Sequence, residues 1–583
     1  MRWFAVVIII LFAFSFIPST IACKDVIVMD GGTSGDYNLF MKVRDPSRPG
    51  LQVLFMVDRG YTYTYHHPWK GYNIPYKVEH KLIGVATQGD VPPDIIKAGM
   101  LMSDANVVYG DADSPTFYVN PTRYAWDDFD WLRYAAQSAN SVDEALEKLK
   151  EVEEMHAPGI GENLFVVGRD RAYVVEADAF HFVSNQVEDS KAMSNYPCQL
   201  WHTRFLRKIV IASNFDRVYE GTVKRWQIVR IGGIEGVKFP KIGEGWVIAR
   251  QVPGGSKVKI EEGSGSKVGN FYVEVERSDG KKADVKVCYE YYAWENKIRN
   301  ILQEKYGKIT VMDMMNLSRL KSEDLNGLRG MSEGEKKGTM IFKIPTGDGF
   351  TMAWFAPDAC ASIFVPVHIC DKEITEEYKN GAAAELALSA LTKFGEVNFH
   401  NVEKVLVKEN ERMEGIALRN REKAADILTL TDTEMQRQSF FMQKMYLNAG
   451  GEERSKILRI WNKDYYTTIC NMEKIINGLD DNEKEMMAEM ALSMGKIRAG
   501  VDEMVNGSHL MNDYSRAEEL INKGKYREGI GVIKGIFRES DSNLFGISHA
   551  ESKGNNGQFI LISSFIIFVA IIAIMLKRPK KGG

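Results

Sequence analysis

The sequence predicts a mixed α/β protein with a long helical C-terminal region. Three observations carry this. Residues 23–215 alternate strand-like and helical text. Strand-like text returns at 339–370, after helical text at 293–330. From Lys372 to about Glu539 the text is helical, charged and methionine-rich.

Length and composition set the frame. The chain has 583 residues, 45% apolar and 26% charged. That is long for one domain and ordinary for a folded protein. The net charge of −4, from 74 basic and 78 acidic residues, gives no reason to expect a nucleic-acid partner. No G-x-x-x-x-G-K-S/T loop, H-E-x-x-H helix or C-x-x-C pair is present. The expectation is therefore no cofactor and no metal. The six cysteines, at 23, 198, 288, 360, 370 and 470, have no metal-ligand spacing. With Cys23 kept for chemistry, at most two disulfides are left among the rest.

Residues 1–22 read as a signal peptide. Arg2 precedes an apolar run from Trp3 to Ile17, and Ala22 is a small residue at the cut. An uncleaved anchor and a lipoprotein signal are the competing readings. Cleavage after Ala22 makes Cys23 the first residue of the mature chain. A terminal Cys carries its own base: a free α-amine, with a reference pKa of about 7.7–8.0, accepts the thiol proton near neutral pH.

The elements follow in order. Residues 51–57 read as a buried strand. Ser141 caps a helix over 141–152, with Glu144 three residues on. Residues 163–168 and 171–176 flank Arg169-Asp170 as a hairpin. Gly-rich turns between alternating segments mark 216–290 as a β-rich insertion, with strands at 271–276 and 283–288. Strands are expected at 339–343, 352–355 and 362–368, and helices at 402–428 and 483–504. Residues 540–558 are Ser-, Asn- and Gly-rich, a flexible linker. Phe559 to Leu576 is eighteen residues without a charge, followed by a basic tail at 577–583. This predicts one transmembrane helix, a cytoplasmic tail, and a single-pass protein of the cell membrane with its catalytic domain extracytoplasmic.

With Cys23 at a processed N-terminus, residues 23–370 resemble a cysteine N-terminal-nucleophile (Ntn) hydrolase. The similar branch holds dipeptidase A, the secernins and acyl-CoA:6-aminopenicillanate acyltransferase; bile-salt and penicillin V hydrolases are more distant. Several blocks carry the resemblance. Cys23 opens a strand. Leu39 to Asp45 places Lys42 and Asp45 on the family's basic and acidic positions, with Val43 where Asn is usual. Ala98 to Met102 stands where the family writes Gly-Met-Asn-Glu, so Leu101 replaces an oxyanion-side Asn. Gly161 to Asp170 with Val174 to Glu176 matches two strands ending in Glu, and Met193-Ser194-Asn195-Tyr196 stands where Thr-Asn-His is usual. Gly307 to Thr310 and Trp354 to Val367 are similar to closing elements of the fold.

The resemblance implies a four-layer αββα sandwich spanning 23–370, with the insertion at 216–290 and the helices of 371–539 beside it. It implies that Cys23 is the nucleophile and that Asp45 holds its α-amine, a contact that raises the amine's basicity. Asn195 becomes the oxyanion donor, with Asn214 as competitor. Lys42, Asn106 and Asn214 make up the implied substrate-binding set. The expected activity is amide hydrolysis on short peptides or N-acyl amides, dipeptidase-like or with acyl transfer. A Ser-His-Asp site has no G-x-S-x-G turn to carry it. The alternative, motivated by Leu101 and Val43, is an inactive binding or structural protein of the same fold at the cell surface.

Overall fold

The computed structural model describes residues 23–44, 50–114, 116–200, 218–231, 235–332 and 337–549. Alternating apolar text makes the first strands, β1 (Lys24–Val28), β2 (Tyr37–Val43) and β3 (Gln52–Val57), almost wholly buried. A hairpin, β4 (Thr62–His66) with β5 (Asn73–Lys77), follows, then β6 (Leu82–Thr87), β7 (Ala98–Ser103) and β8 (Val108–Ser114).

Two helices come next. In α1 (Asp128–Ala136), Asp127 and Asp130 form a reciprocal capping box. In α2 (Val142–Glu154), Ser141 accepts from the Glu144 amide at 3.2 Å, the cap read from the sequence. The hairpin read around Arg169-Asp170 is β9 (Gly161–Val167) with β10 (Ala172–Ala177), and β11 (Phe182–Gln186) and β12 (Ser190–Ser194) close this half.

The insertion supplies β13 (Val218–Lys224), β14 (Ile228–Val229), β15 (Gly236–Gly243), β16 (Trp246–Val252), β17 (Lys257–Glu261), β18 (Ser264–Val268), β19 (Phe271–Ser278) and β20 (Lys282–Tyr289). They form two four-stranded sheets around their own apolar core, which includes Val237, Phe239, Val247, Phe271 and Val285.

After α3 (Glu290–Glu304) and α4 (Val311–Leu317), three strands return: β21 (Thr339–Pro345), β22 (Met352–Ala356) and β23 (Val365–His368). The helical region then holds α5 (Glu376–Lys379), α6 (Ala382–Phe394), α7 (His400–Arg419), α8 (Ala424–Asn448), α9 (Gly451–Ile460), α10 (Tyr465–Ile475), α11 (Asp481–Asn506), α12 (Leu510–Asn522) and α13 (Tyr526–Phe545). The helix expected over 402–428 is two helices. Asn420 leaves helical geometry, at φ −127° and ψ 59°, and its side-chain amide caps the Ile416 carbonyl. The last helix runs on to Phe545, into the stretch expected to be linker.

Among the described residues the centre is two antiparallel sheets face to face. One has the order β12-β1-β2-β21-β22-β23 and the other β11-β10-β9-β8-β7-β6-β3. Alternation along β1 and β2 divides their side chains. Ile27 and Phe40 enter the seam between the sheets with Phe165, Phe342 and Val108. Val26, Val28, Leu39 and Met41 face the helices that cover the first sheet. Helices α1 and α2 cover the second sheet through Trp131, Leu132 and Leu149. The layers therefore run helix, sheet, sheet, helix.

The expectation of a membrane-spanning helix is corrected here. No helix among the described residues is long and apolar enough to cross a membrane. The stretch 559–576 lies outside those residues, as does the signal reading of 1–22. The membrane partner and the single-pass, extracytoplasmic placement therefore have no helix among the described residues to rest on. The pairing allowed for the cysteines is not used either: all six are free thiols.

Candidate functional site

Cys23 directly precedes β1 and is only partly exposed, packed against the seam between the sheets. The register of β1 determines its neighbours. Lys24 pairs with Val43 on one side and Ser194 on the other, so Arg44 and Asn195 are the next residues out, flanking Cys23. Ser194 Oγ donates to the Cys23 carbonyl at 2.6 Å and lies 3.3 Å from Asn195 Oδ1.

One step further in, Asp25 pairs with Lys42 across β1 and β2. Lys42 is fully buried. Its Nζ lies 2.7 Å from Asp111 Oδ1 and 3.8 Å from Asp25 Oδ1, and it also donates to the Asp111 carbonyl. Gly110 on β8 makes this crossing possible. A Cβ there would stand 2.5 Å from Phe40 Cζ and 3.3 Å from Asp25 Oδ1. Gly99 plays the same part for Arg44, whose Nε would be 3.1 Å from a Cβ at that position. Arg44 is held by Gln52 and stacks over Phe129 at 4.9 Å.

The electrostatics follow from burial of these groups. Burial pushes the Cys23 thiol up to about 12; Lys42 opposes this, and Asp111, Asp25 and Asp113 add to it. Burial alone would lower the Lys42 ammonium, but Asp111 and Asp25 hold it well above its usual range. Burial raises Asp25 against the pull of Lys42. Next to this group lies an acidic cluster. Asp113, Asp128 and Glu162 place carboxylate oxygens within 4.8 Å of one another. Burial, with repulsion from Asp113, raises Asp128 and Glu162; burial also pushes Asp113 up to about 6, against the pull of Lys42 and a hydrogen bond with Glu162. Repulsion from Asp111 contributes to each shift.

A short segment after β12 completes the site. Asn163 on β9 donates through Nδ2 to the carbonyls of Ser194 at 2.7 Å and Tyr196 at 3.0 Å. Glu176 at the end of β10 accepts from the amides of Cys198, Gln199 and Leu200, each at 2.8 Å.

The residues expected from the sequence are distributed as follows. Cys23, Lys42 and Asn195 come together. Asn106 does not join them. It sits at φ 59° in the turn between β7 and β8 and accepts from Thr351 Oγ1 at 2.8 Å. Asp111 lies beyond it in β8, three residues, or about 10 Å, past the strand's first residue, Val108. Leu101 points away from the seam into the core under α1 and α2. Asp45 and Asn214 lie outside the described residues. The sequence reading missed Asp25, Arg44, Asp111, Asp113, Glu162 and Asn163. The available signal was period two from Cys23: residues 23, 25 and 27 share one face of β1.

Two other features lie apart from the site. A cavity of about 810 Å³, lined in part by Tyr37, Lys404, Lys408 and Trp461, opens at the far end of β2 from Lys42. A second buried cluster joins His368, Asp371 and Asp432, whose ligand-type atoms lie within 4.8 Å of one another. Its His368 Nδ1 is already bonded to Asp432 at 2.6 Å.

No known family's model matches the chain, and no curated protein matches it. Among solved structures, it is similar to a mutant of the conjugated bile acid hydrolase from Clostridium perfringens. That match has 10% identity, covers 59% of this chain and 92% of the other, and has a TM-score of 0.31. A variant of the same enzyme matches at 11% identity over 60% and 92%, with a TM-score of 0.31. Penicillin V acylase from Agrobacterium tumefaciens matches at 14% identity over 28% and 49%, with a TM-score of 0.22. Likeness at this level leaves the family of the chain open, and its chemistry rests on the residues around Cys23.

Proposed function

We propose that the chain is an amide hydrolase whose nucleophile is Cys23, made N-terminal by removal of residues 1–22. The observation that carries this reading is the position of Cys23: at the head of a central strand, beside the seam of two sheets, with Lys42 and Asn195 close by. Cys198 also packs against the seam, but its thiol sits 3.8 Å from Lys191 Nζ and from Glu295 Oε2 and does not head a strand.

The reaction runs in two steps. The α-amine of Cys23 takes the thiol proton, and the thiolate attacks the substrate carbonyl. The side-chain amide of Asn195 donates to the oxyanion that forms; losing one such donor typically costs ~2.7–4 kcal/mol of barrier. The α-ammonium returns its proton to the leaving amine as the C–N bond breaks, which leaves a thioester on Cys23. Water, deprotonated by the same amine, then cleaves the thioester and frees the carboxylic acid. An amine in place of water gives acyl transfer. Asp45 is assigned to hold the α-amine, and Lys42 offsets the carboxylates around the thiol.

A dipeptide-like substrate is the favoured class. Burial holds the carboxyls of Asp113, Asp128 and Glu162 towards their neutral form, and a substrate ammonium beside them would favour their ionised form and pair with it. The test is a protein beginning at Cys23, assayed with dipeptides and with N-acyl amino acids. Turnover that Cys23→Ala abolishes supports the reading. Turnover that survives it requires another nucleophile.

A further inference from the structure

We propose that Asn163 is a positioning residue for this reaction, clamping the backbone on both sides of Asn195. The inference rests on the reading of Asn195 as oxyanion donor. Its basis is one side chain bonded to the two residues that flank that donor. Asn163 Nδ2 donates to the Ser194 and Tyr196 carbonyls at 2.7 and 3.0 Å, and Asn195 lies between them.

The orientation of this amide is fixed by its partners. Both partners are carbonyl oxygens, which only accept, so the NH2 group must face them. Asn163 has no solvent exposure, so water does not compete for these bonds. Its frame is rigid: β9 is paired on both sides, with Asn163 opposite Ala112 of β8 and Glu176 of β10. Asn163 therefore ties the second sheet to the end of β12 in the first. Ser194 Oγ extends the chain of contacts to the Cys23 carbonyl. The backbone of Cys23 and the oxyanion donor are thus joined by one short hydrogen-bond path, in which the thiol itself takes no part.

Geometry is what such a clamp provides. A misplacement of about 1 Å at a reacting group costs on the order of 10²-fold in rate. Substrate binding does not require the clamp, and neither does the thiol itself.

The experiment separates these roles. In protein beginning at Cys23, kcat and KM are measured on a dipeptide for wild type, Asn163→Ser and Asn163→Ala. The rate of Cys23 alkylation by iodoacetamide is measured alongside. Alkylation attacks a saturated carbon and forms no oxyanion, so it reports the nucleophile alone. The expected order of kcat is wild type, then Ser, then Ala, with a total fall of about 10²-fold, little change in KM and an unchanged alkylation rate. A Ser variant with wild-type kcat overturns the proposal, even if the Ala variant does not fold. An alkylation rate that falls in step with kcat overturns it too, because Asn163 would then act on the thiol or the fold. If wild type is alkylated but turns over no amide, the underlying reading fails first and takes this one with it.

Discussion

Lys42 on β2 and Asp111 on β8 form an ion pair of 2.7 Å that crosses between the two central sheets in the interior. Such a pair is costly to bury and costlier to break. Lys42 faces Asp111 at 2.7 Å and Asp25 at 3.8 Å, so its loss leaves the buried Asp111 carboxylate without its cation. Lys42→Met, which keeps most of the volume, is expected to destabilise the fold by about 3–5 kcal/mol. The double variant with Asp111→Asn should recover part of that loss. Urea unfolding of the two proteins decides the matter, and equal stability of Lys42→Met and wild type would show that the pair is not formed.

A second buried group makes stability depend on pH in a direction that can be worked out. Burial alone would lower His368, but Asp432 and Glu414 raise its imidazole to about 10. That lies above its unfolded value of about 6.5. Its stabilisation is therefore complete below about pH 6.5 and is lost as pH rises through about 10. Glu414 runs the other way. Burial would raise it, but His368 and Lys343 pull it down to about 2, so its share is present above about pH 4.5 and lost towards about 2. The stability gap between wild type and His368→Gln should be wide near about pH 6 and narrow near about pH 10. Unfolding titrations at both pH values test this, and a gap that widens with pH contradicts the assignment.

The nucleophile gives a prediction on activity with the fold held constant. Cys23→Ser changes one buried atom and should leave the melting temperature close to wild type. Hydrolysis should nearly vanish, because a hydroxyl is a far weaker nucleophile than a thiol near neutral pH. Cys23→Ala should remove the remainder. Comparable turnover in the Ala variant would move the search to another residue.

The parts of the site that were legible in the sequence are those set by local text. Cys23 follows a small residue at the end of an apolar run, while Lys42 was singled out only by the resemblance, as the basic position at the end of a strand block. Asp111 and Asn163 were hidden because their partners are distant in sequence. Asn163 reads as one more residue of a hairpin until β12 is placed beside it. Gly110 reads as a flaw in a strand, and only the packing of Phe40 against it shows what its missing side chain permits. Asn106 misled in the opposite way: it is near Leu101 in sequence, but the turn carries it to the far end of the sheet. The break at Asn420 was missed because residues on both sides of it form helix readily. Asp25 was visible by alternation from Cys23, yet a carboxylate two residues from a nucleophile carries no motif.

Maturation supplies the last prediction. In the uncut chain the nitrogen of Cys23 is a peptide amide, which cannot serve as base. The thiol beside it is pushed up to about 12 by burial, with Lys42 only partly offsetting this. At neutral pH it is therefore almost wholly protonated and a poor nucleophile. Removal of residues 1–22 changes this in one step, because it places an amine of pKa about 7.7–8.0 on the same residue. Three proteins separate the effect from folding: the full chain, a chain starting at Cys23, and one with a single Gly before Cys23. All three should fold. Only the chain starting at Cys23 should hydrolyse peptides, and its alkylation rate should rise with pH through the range of an amine rather than near 12. In the Gly-extended protein the amine is displaced by one residue and the nitrogen of Cys23 is again an amide, so turnover should be lost while the melting temperature holds. Equal activity of the extended and unextended proteins would show that the base is a side chain, and the carboxylates of Asp25 and Asp113 would be the first to examine.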